Sequence, residues 1–190
     1  MRVPLYREWF LAHGMASCGR RTCLKLLGGD HGTGRAIVLI IGGAAESLNA
    51  HPGKLELVLR KRKGFVRIAL QTGASLVPSL GYGENDALWQ ASNAPGTWLR
   101  AVQDFTRKYL SFAMPLFYGR WYLPVPRRTP LTIVTGAPVA CPRTALDANG
   151  RLDPAVVDAY HAKYIAALEQ LYADTKDEYA PPGMAPMKIM

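Results

Sequence analysis

At 190 residues, 49% of them hydrophobic, the chain is long enough to bury one core and needs neither a disulfide framework nor a structural metal to hold it. Lysine and arginine number 23 against 14 aspartates and glutamates, a net charge of +9, which favours anionic partners: phosphate-bearing cofactors, anionic lipid headgroups or nucleic acid. Cys18, Cys23 and Cys141 lack CxxC spacing and read as reduced thiols, and the scattered His13, His31, His51 and His161 form no metal-ligand pattern.

In chain order, the start shows no basic, apolar and small-residue progression of a cleavable signal. "LYREWFLAHG" and "RRTCLKLLGG" each carry helical spacing and stop at glycine, which predicts two short helices. "AIVLII", residues 36–41, is the longest apolar run, far short of the roughly 20 residues that a bilayer-crossing helix requires. It is expected as a strand buried on both faces. Immediately after it come Gly42, Gly43 and Glu46, a lone carboxylate in a turn with few side chains. Such a turn suits a backbone that another molecule must approach closely.

"LELVLR", residues 55–60, is a shorter extended piece, and it runs into the basic cluster "RKRKGFVR", residues 60–67. That cluster reads first as a solvated face and second as a specific anion site. "KGFVRIALQTG" places Phe65, Ile68, Ala69 and the Thr72 methyl at helical spacing, and "ASLVPSLGYG" follows as a second buried strand with Pro78 near its end. Strand, crossover helix and strand together predict a parallel βαβ unit.

Downstream, "TWLRAVQDFTRKYLSF" reads as an amphipathic helix and "TPLTIVTGAPV" as a strand bounded by Pro130 and Gly136. "LDPAVVDAYHAKYIAALEQLYADTKDEY" is the clearest helix. Asp153 is its N-cap and Pro154 its first residue; Val156, Val157, Tyr160, Tyr164, Leu168 and Leu171 form one stripe. The Pro- and Met-rich residues 180–190 are expected as a flexible tail. The alternation of strands and helices predicts an α/β domain, with ligands at the carboxyl ends of its strands. Gly42, Gly43 and Glu46 stand at one such end, and Gly81, Tyr82, Gly83 and Glu84 at another. A sharp strand exit needs glycine without any ligand, so the bland reading stands beside the functional one.

The stretch "GGAAESLNAHPGKLELVLRKRKGFVRIALQTGASLVPSLGYGEND" resembles the signature block of the type-2 diacylglycerol acyltransferase family, which includes monoacylglycerol acyltransferases and wax synthases. The resemblance extends upstream through Pro4, Arg7, Glu8 and Gly14, and downstream through "FYGRW", "TPLTIVTGAPV" and "YHAKYIAALEQLY". More remotely, the order of strand, glycine-and-glutamate turn, basic stretch, helix and "LVP" strand is similar to the glycerol-phosphate acyltransferases. The implied fold is α/β, a glycerol-phosphate-acyltransferase-like mixed sheet with flanking helices, over an acyltransferase domain at residues 1–179.

The chemistry so implied is attack of a glyceride hydroxyl on an acyl-CoA thioester through a tetrahedral oxyanion, with acyl-CoA as cosubstrate and no cofactor. Diacylglycerol is the default acceptor; monoacylglycerol and fatty alcohol are alternatives. The resemblance gives Glu46 a supporting catalytic role, against the simpler reading that it caps its turn. It makes Gly42, Gly43, Arg62, Lys63, Gly64, Phe65, Arg67, Gly83, Glu84 and Arg120 substrate-binding.

The family attributes its general base to a histidine of an HPHG motif, and no HPHG occurs in this sequence. His51 of "HPGKLE", with Glu56 five residues on, imitates an HxxxxD pattern but lies on the wrong side of the first strand. His161 fits a packed helical residue. The chain therefore reads as a C-terminal part, without the family's hydrophobic N-terminal hairpin and first strands, and weak or inactive alone, since general acid–base assistance contributes roughly a hundred- to ten-thousand-fold in rate. The alternative is a non-catalytic acyltransferase-like protein that binds lipid or pairs with a full-length enzyme. Expected surroundings are the cytosolic face of the endoplasmic reticulum and the lipid droplet, with a homo-oligomer as a further expectation. Nucleic acid is not expected, because neither an aromatic RNA-binding signature nor a DNA-reading motif is present.

Overall fold

A computed structural model of the protein describes residues 6–28, 34–42, 51–90, 96–97, 101–102, 105, 117–123 and 125–190. Two short helices open it, α1 (Tyr6–Ala12) and α2 (Arg20–Gly28). They are followed by β1 (Glu56–Leu57), α3 (Gly64–Thr72), β2 (Ser79–Tyr82), the single turn α4 (Glu84–Ala87), β3 (Trp89–Gln90) and β4 (Phe117–Tyr118). The last elements are β5 (Thr132–Thr135), the long α5 (Pro154–Tyr179) and β6 (Lys188–Ile189).

The core forms where α5 packs against both α3 and the β2–β5 ladder. On α3, Phe65, Val66, Ile68, Ala69 and Leu70 are buried, and Gly73 ends the helix in a left-handed conformation, its N–H donating to the Ala69 carbonyl. On α5, Val157, Tyr164, Leu168 and Leu171 are buried and Val156 and Tyr160 half-buried, which is the stripe expected from spacing. Asp153 accepts from the Ala155 N–H at 2.9 Å and caps this helix ahead of Pro154. Burying each such Leu or Val contributes about 1.5–3 kcal/mol, so these two faces carry most of the fold's cohesion.

Strand β2 runs antiparallel to β5, with Leu80 opposite Val134 and Gly81 opposite Ile133. Leu80 and Tyr82 point into the core, while Ile133 is 77% exposed on the other face. Pro78 is fully buried just ahead of β2 rather than near its end, and the pairing resumes beyond it as a bridge between Leu76 and Val139. β3 pairs antiparallel with β4, and β1 pairs parallel with β6.

Two sequence expectations are corrected here. Residues 36–41 carry no ladder among the described residues and are not buried on both faces: Leu39 and Ile41 pack on the core, while Val38 and Ile40 are 94% and 91% exposed. An apolar run reports which faces a segment could bury; its neighbours decide which faces it does bury. Among the described residues the parallel βαβ unit is likewise not formed: the described partner of β2 is the antiparallel β5 and that of β1 is β6. Parallel and antiparallel partners cannot be told apart from the apolar pattern of one strand alone.

Residues 180–190, set apart in the sequence as a tail, return along the body of the protein. Ala185 donates to the Gly53 carbonyl, and Lys188 and Met190 donate to those of Leu55 and Leu57. Met184, Met187 and Ile189 pack against the core. Ala101, Val102 and Phe105 have helical backbone, but most of the helix expected over 97–112 lies outside the described residues. Among the described residues no helix is long and apolar enough to cross a membrane.

Candidate functional site

The basic turn is built by three elements that meet at Leu59. This buried residue accepts at its carbonyl from the Arg62 N–H at 2.9 Å and from the His161 Nε2–H at 3.2 Å. A carbonyl can only accept, so Nε2 carries the proton and the imidazole ties α5 to the turn. The Leu59 and Arg60 amides both donate to the Met190 main-chain oxygen, at 2.9 and 2.8 Å, and Arg60 Nε donates to the Ile189 carbonyl at 3.0 Å. His161 is thus a buried structural residue, as its place on the helix suggests.

From this anchored turn, Lys61 and Arg62 project into solvent, and Lys63 precedes α3. Lys63 Nζ lies 2.6 Å from Asp158 Oδ1. Lys63 is half-buried and Asp158 exposed, so solvent screens the pair and it contributes only about 0.2–1 kcal/mol; it orients the lysine more than it holds the fold. Phe65 is buried edge-on against Tyr164, with ring centroids 4.9 Å apart, and so fixes the helix start. Gly64 leaves open space where a Cβ would stand, and Arg67 is exposed on the next turn. No side chain caps α3. Its first amides, the positive end of the helix dipole, stand beside the Arg62, Lys63 and Arg67 cations, and Asp158 offsets only the Lys63 charge, so this corner is net electropositive.

The second strand exit forms a cleft of about 330 Å³, lined by Gly83, Asp86, Thr129, Pro130, Tyr179 and Pro181, among others. Gly83 has φ of +81°, and a Cβ there would stand 2.1 Å from the Pro130 carbonyl oxygen. Glycine at this exit is thus a steric requirement, and Glu84 follows it exposed at the start of α4. The Thr129 hydroxyl is buried without a hydrogen-bonding partner among the described residues. The Tyr179 hydroxyl titrates above its ordinary value because Glu178 hydrogen-bonds it and adds negative charge beside it. A mostly apolar cleft with few polar groups suits a molecule that is apolar except for a hydroxyl or carbonyl.

The C-terminal residues join the two regions: Ala180, Pro181 and Pro182 line the cleft, and Ile189 and Met190 hold the basic turn. Asn85 Nδ2 also donates to the Lys54 carbonyl at 2.8 Å, linking α4 to the residues just ahead of β1. Gly42 is buried at a bend directly after the apolar run, whereas Gly43 and Glu46 lie outside the described residues. Arg120 stands apart, with Nε donating to the Pro126 carbonyl at 3.0 Å. Spacing gave no signal for Thr129, Tyr179, Asp158 or Met190, because tertiary packing places them. The one available hint was the recurrence of Met184, Met187 and Ile189 in a segment otherwise rich in proline.

The profile of the family described as "Diacylglycerol acyltransferase" matches residues 1–188. The chain belongs to the diacylglycerol acyltransferase family. Among curated relatives of this family it is 40% identical over 195 residues to "Diacylglycerol O-acyltransferase 2" of Bos taurus, covering 99% of this chain and 52% of that one. It is 38% identical over 186 residues to "2-acylglycerol O-acyltransferase 1" of Bos taurus, covering 95% of this chain and 54% of the relative. With "Diacylglycerol O-acyltransferase 2A" of Umbelopsis ramanniana it shares 38% identity over 183 residues, 94% of this chain and 50% of the relative. The chain spans about half the length of the curated relatives it matches. No solved structure matches it.

Proposed function

We propose that this chain contributes to an O-acyltransferase that moves a fatty acyl group from acyl-CoA to diacylglycerol, making triacylglycerol. The observation that carries the reading is the family match from residue 1 to residue 188. The geometry supports it in two ways. The electropositive corner of Arg62, Lys63, Arg67 and the α3 amides suits the phosphates of coenzyme A. The apolar cleft between Gly83, Thr129 and Tyr179 suits a glyceride that is apolar except at its ester and hydroxyl oxygens.

In this reading Glu46 orients the attacking hydroxyl or the general base, and Gly42 and Gly43 bring backbone N–H groups close to the oxyanion that forms when the hydroxyl adds to the thioester carbon. Collapse of that intermediate breaks the carbon–sulfur bond and releases coenzyme A. Gly64 and Glu84 complete the proposed substrate contacts; Phe65 supports them from beneath, buried against Tyr164, and Arg120 stands apart from both regions. In the same reading the three described two-stranded ladders belong to a glycerol-phosphate-acyltransferase-like mixed sheet, and the working place is the cytosolic surface of the endoplasmic reticulum or the lipid droplet, with self-association as a further feature. His161 is committed to the Leu59 carbonyl and is not free to serve as the general base.

That same commitment favours a second reading, in which the chain binds acyl-CoA or lipid without turning it over. Both readings require the basic corner. Equilibrium binding of a long-chain acyl-CoA, followed by titration calorimetry, is expected to weaken by about tenfold in the Arg62→Ala, Lys63→Ala double variant. Equal binding by the variant and the parent chain would return the cluster to a solvated face. The parent chain alone is expected to form no triacylglycerol above background.

A further inference from the structure

The turn that follows β4 is held in a conformation its residues disfavour. Trp121 and Tyr122 are consecutive and both left-handed, at φ 56° and 59°, where bulky side chains crowd their own backbone. The surroundings enforce it. Gly119 donates to the Leu123 carbonyl at 2.7 Å, Leu123 to that of Arg120 at 3.1 Å, and Arg120 to that of Val125 at 2.8 Å. A Cβ on Gly119 would lie 2.0 Å from the Val125 carbonyl oxygen, so the close approach depends on glycine.

Among the described residues this strain does not bury the side chains it places. Trp121 is 75% exposed, Tyr122 88% and Leu123 53%. Strained conformations persist where the fold over-determines them, and they concentrate at functional places. The exposed rings also form an ordered row. Tyr122 stacks on Tyr118 at 5.9 Å, Tyr118 meets Trp89 edge-on at 6.2 Å, and the Arg127 guanidinium lies 4.2 Å above the Trp89 ring. Arg120 lies 5.2 Å above the ring of Trp121. Arg128 is exposed beside Arg127. No aspartate or glutamate occurs anywhere between Asp104 and Asp147, so nothing in this stretch of sequence offsets its arginines.

Tryptophan, tyrosine and leucine rimmed by arginine is the composition that settles at the headgroup level of a bilayer. The amphipathic rings lie at the acyl boundary there, and the guanidinium groups pair with phosphate. We propose that residues 117–123, with Arg120, Arg127 and Arg128, are an interfacial anchor for an anionic phospholipid surface. Trp121, Tyr122 and Leu123 enter the headgroup region, and the arginines bind lipid phosphates. The proposal rests on the membrane association read above, gives it a surface, and does not depend on acyl transfer by this chain.

The test is flotation of the whole chain with vesicles of phosphatidylcholine, with and without phosphatidylserine, at low and high salt. The parent chain should float with the phosphatidylserine vesicles, less so at high salt. Trp121→Ser with Tyr122→Ser should weaken that partition by about tenfold, and Arg120→Gln, Arg127→Gln and Arg128→Gln together should remove its dependence on phosphatidylserine. Should the serine variant fail to fold, Trp121→Gly with Tyr122→Gly is the second arm. Glycine relieves the left-handed backbone, so its thermal midpoint should equal or exceed that of the parent while vesicle binding is lost. Undiminished flotation of folded serine or glycine variants would overturn the anchor. So would loss of flotation only on Arg62→Ala with Lys63→Ala, which would move the membrane contact to the basic corner. A parent chain that ignores vesicles and self-associates through this turn would overturn both the anchor and the membrane association, leaving the acyl-CoA reading to its own binding experiment.

Discussion

At Gly83 a single methyl group decides whether the cleft can form. Gly83→Ala must place a side chain at φ +81° and 2.1 Å from the Pro130 oxygen. The conformation alone costs about 1–3 kcal/mol, and relief of the overlap must move Pro130 and the cleft wall with it. A urea midpoint lowered to that extent, with the slope unchanged, is the expected result; an unchanged midpoint would mean that the strand exit is not held as described. The sequence marked this glycine through its place after a strand, and the structure supplies the steric reason. It could not mark Thr129, whose buried hydroxyl and position on the cleft follow from β5 lying beside β2. Nor could it assign Asp158 to Lys63, since that pair is made by the packing of α5 on α3 rather than by spacing within one element.

Among the elements, α5 and α3 were legible to within a residue or two because each advertises itself locally: a cap, a proline at the first turn, a left-handed glycine and a periodic apolar face. The strands were legible as extended pieces but not by partner. Nothing local to "AIVLII" distinguishes a strand covered on both faces from a segment with Val38 and Ile40 exposed. The least legible element was β6, two residues long, whose existence depends on β1 offering free backbone groups. Its importance is testable. Lys188→Pro removes the N–H that donates to the Leu55 carbonyl and places proline in a ladder that cannot accept it. The expected outcome is faster proteolytic cleavage within 180–190 and a lower affinity for acyl-CoA, because the basic turn loses its hold on Ile189 and Met190. Cleavage and affinity equal to the parent would show that the tail does not position the turn.

At the scale of the whole molecule, burial raises Cys141 and Tyr164 above their ordinary values of 9.0 and 10.0. Both groups stay protonated in the folded chain at pH values where the unfolded chain has released the proton. Their contribution to stability is therefore complete below about pH 9 and declines as pH rises, at up to about 1.4 kcal/mol per pH unit for each group while only its unfolded form is ionised. Tyr164→Phe should flatten the decline above about pH 10, measured as urea midpoints across alkaline pH; an unchanged slope would remove Tyr164 from that account. Function at this scale was legible as family, through the long block from Gly42 to Asp86, and not as mechanism, because Glu46 and Gly43 lie outside the described residues and no HPHG motif occurs in the sequence. The central claim is acyl transfer to diacylglycerol, and its most direct measurement joins this chain to the portion of the bovine diacylglycerol O-acyltransferase 2 that its match leaves uncovered. Triacylglycerol made from labelled acyl-CoA is then quantified for the parent fusion and its Glu46→Gln variant. The account predicts product from the fusion and from neither piece alone, with the variant retaining less than about a tenth of the turnover at equal yield of folded protein. A folded fusion that binds acyl-CoA and forms no triacylglycerol would contradict it.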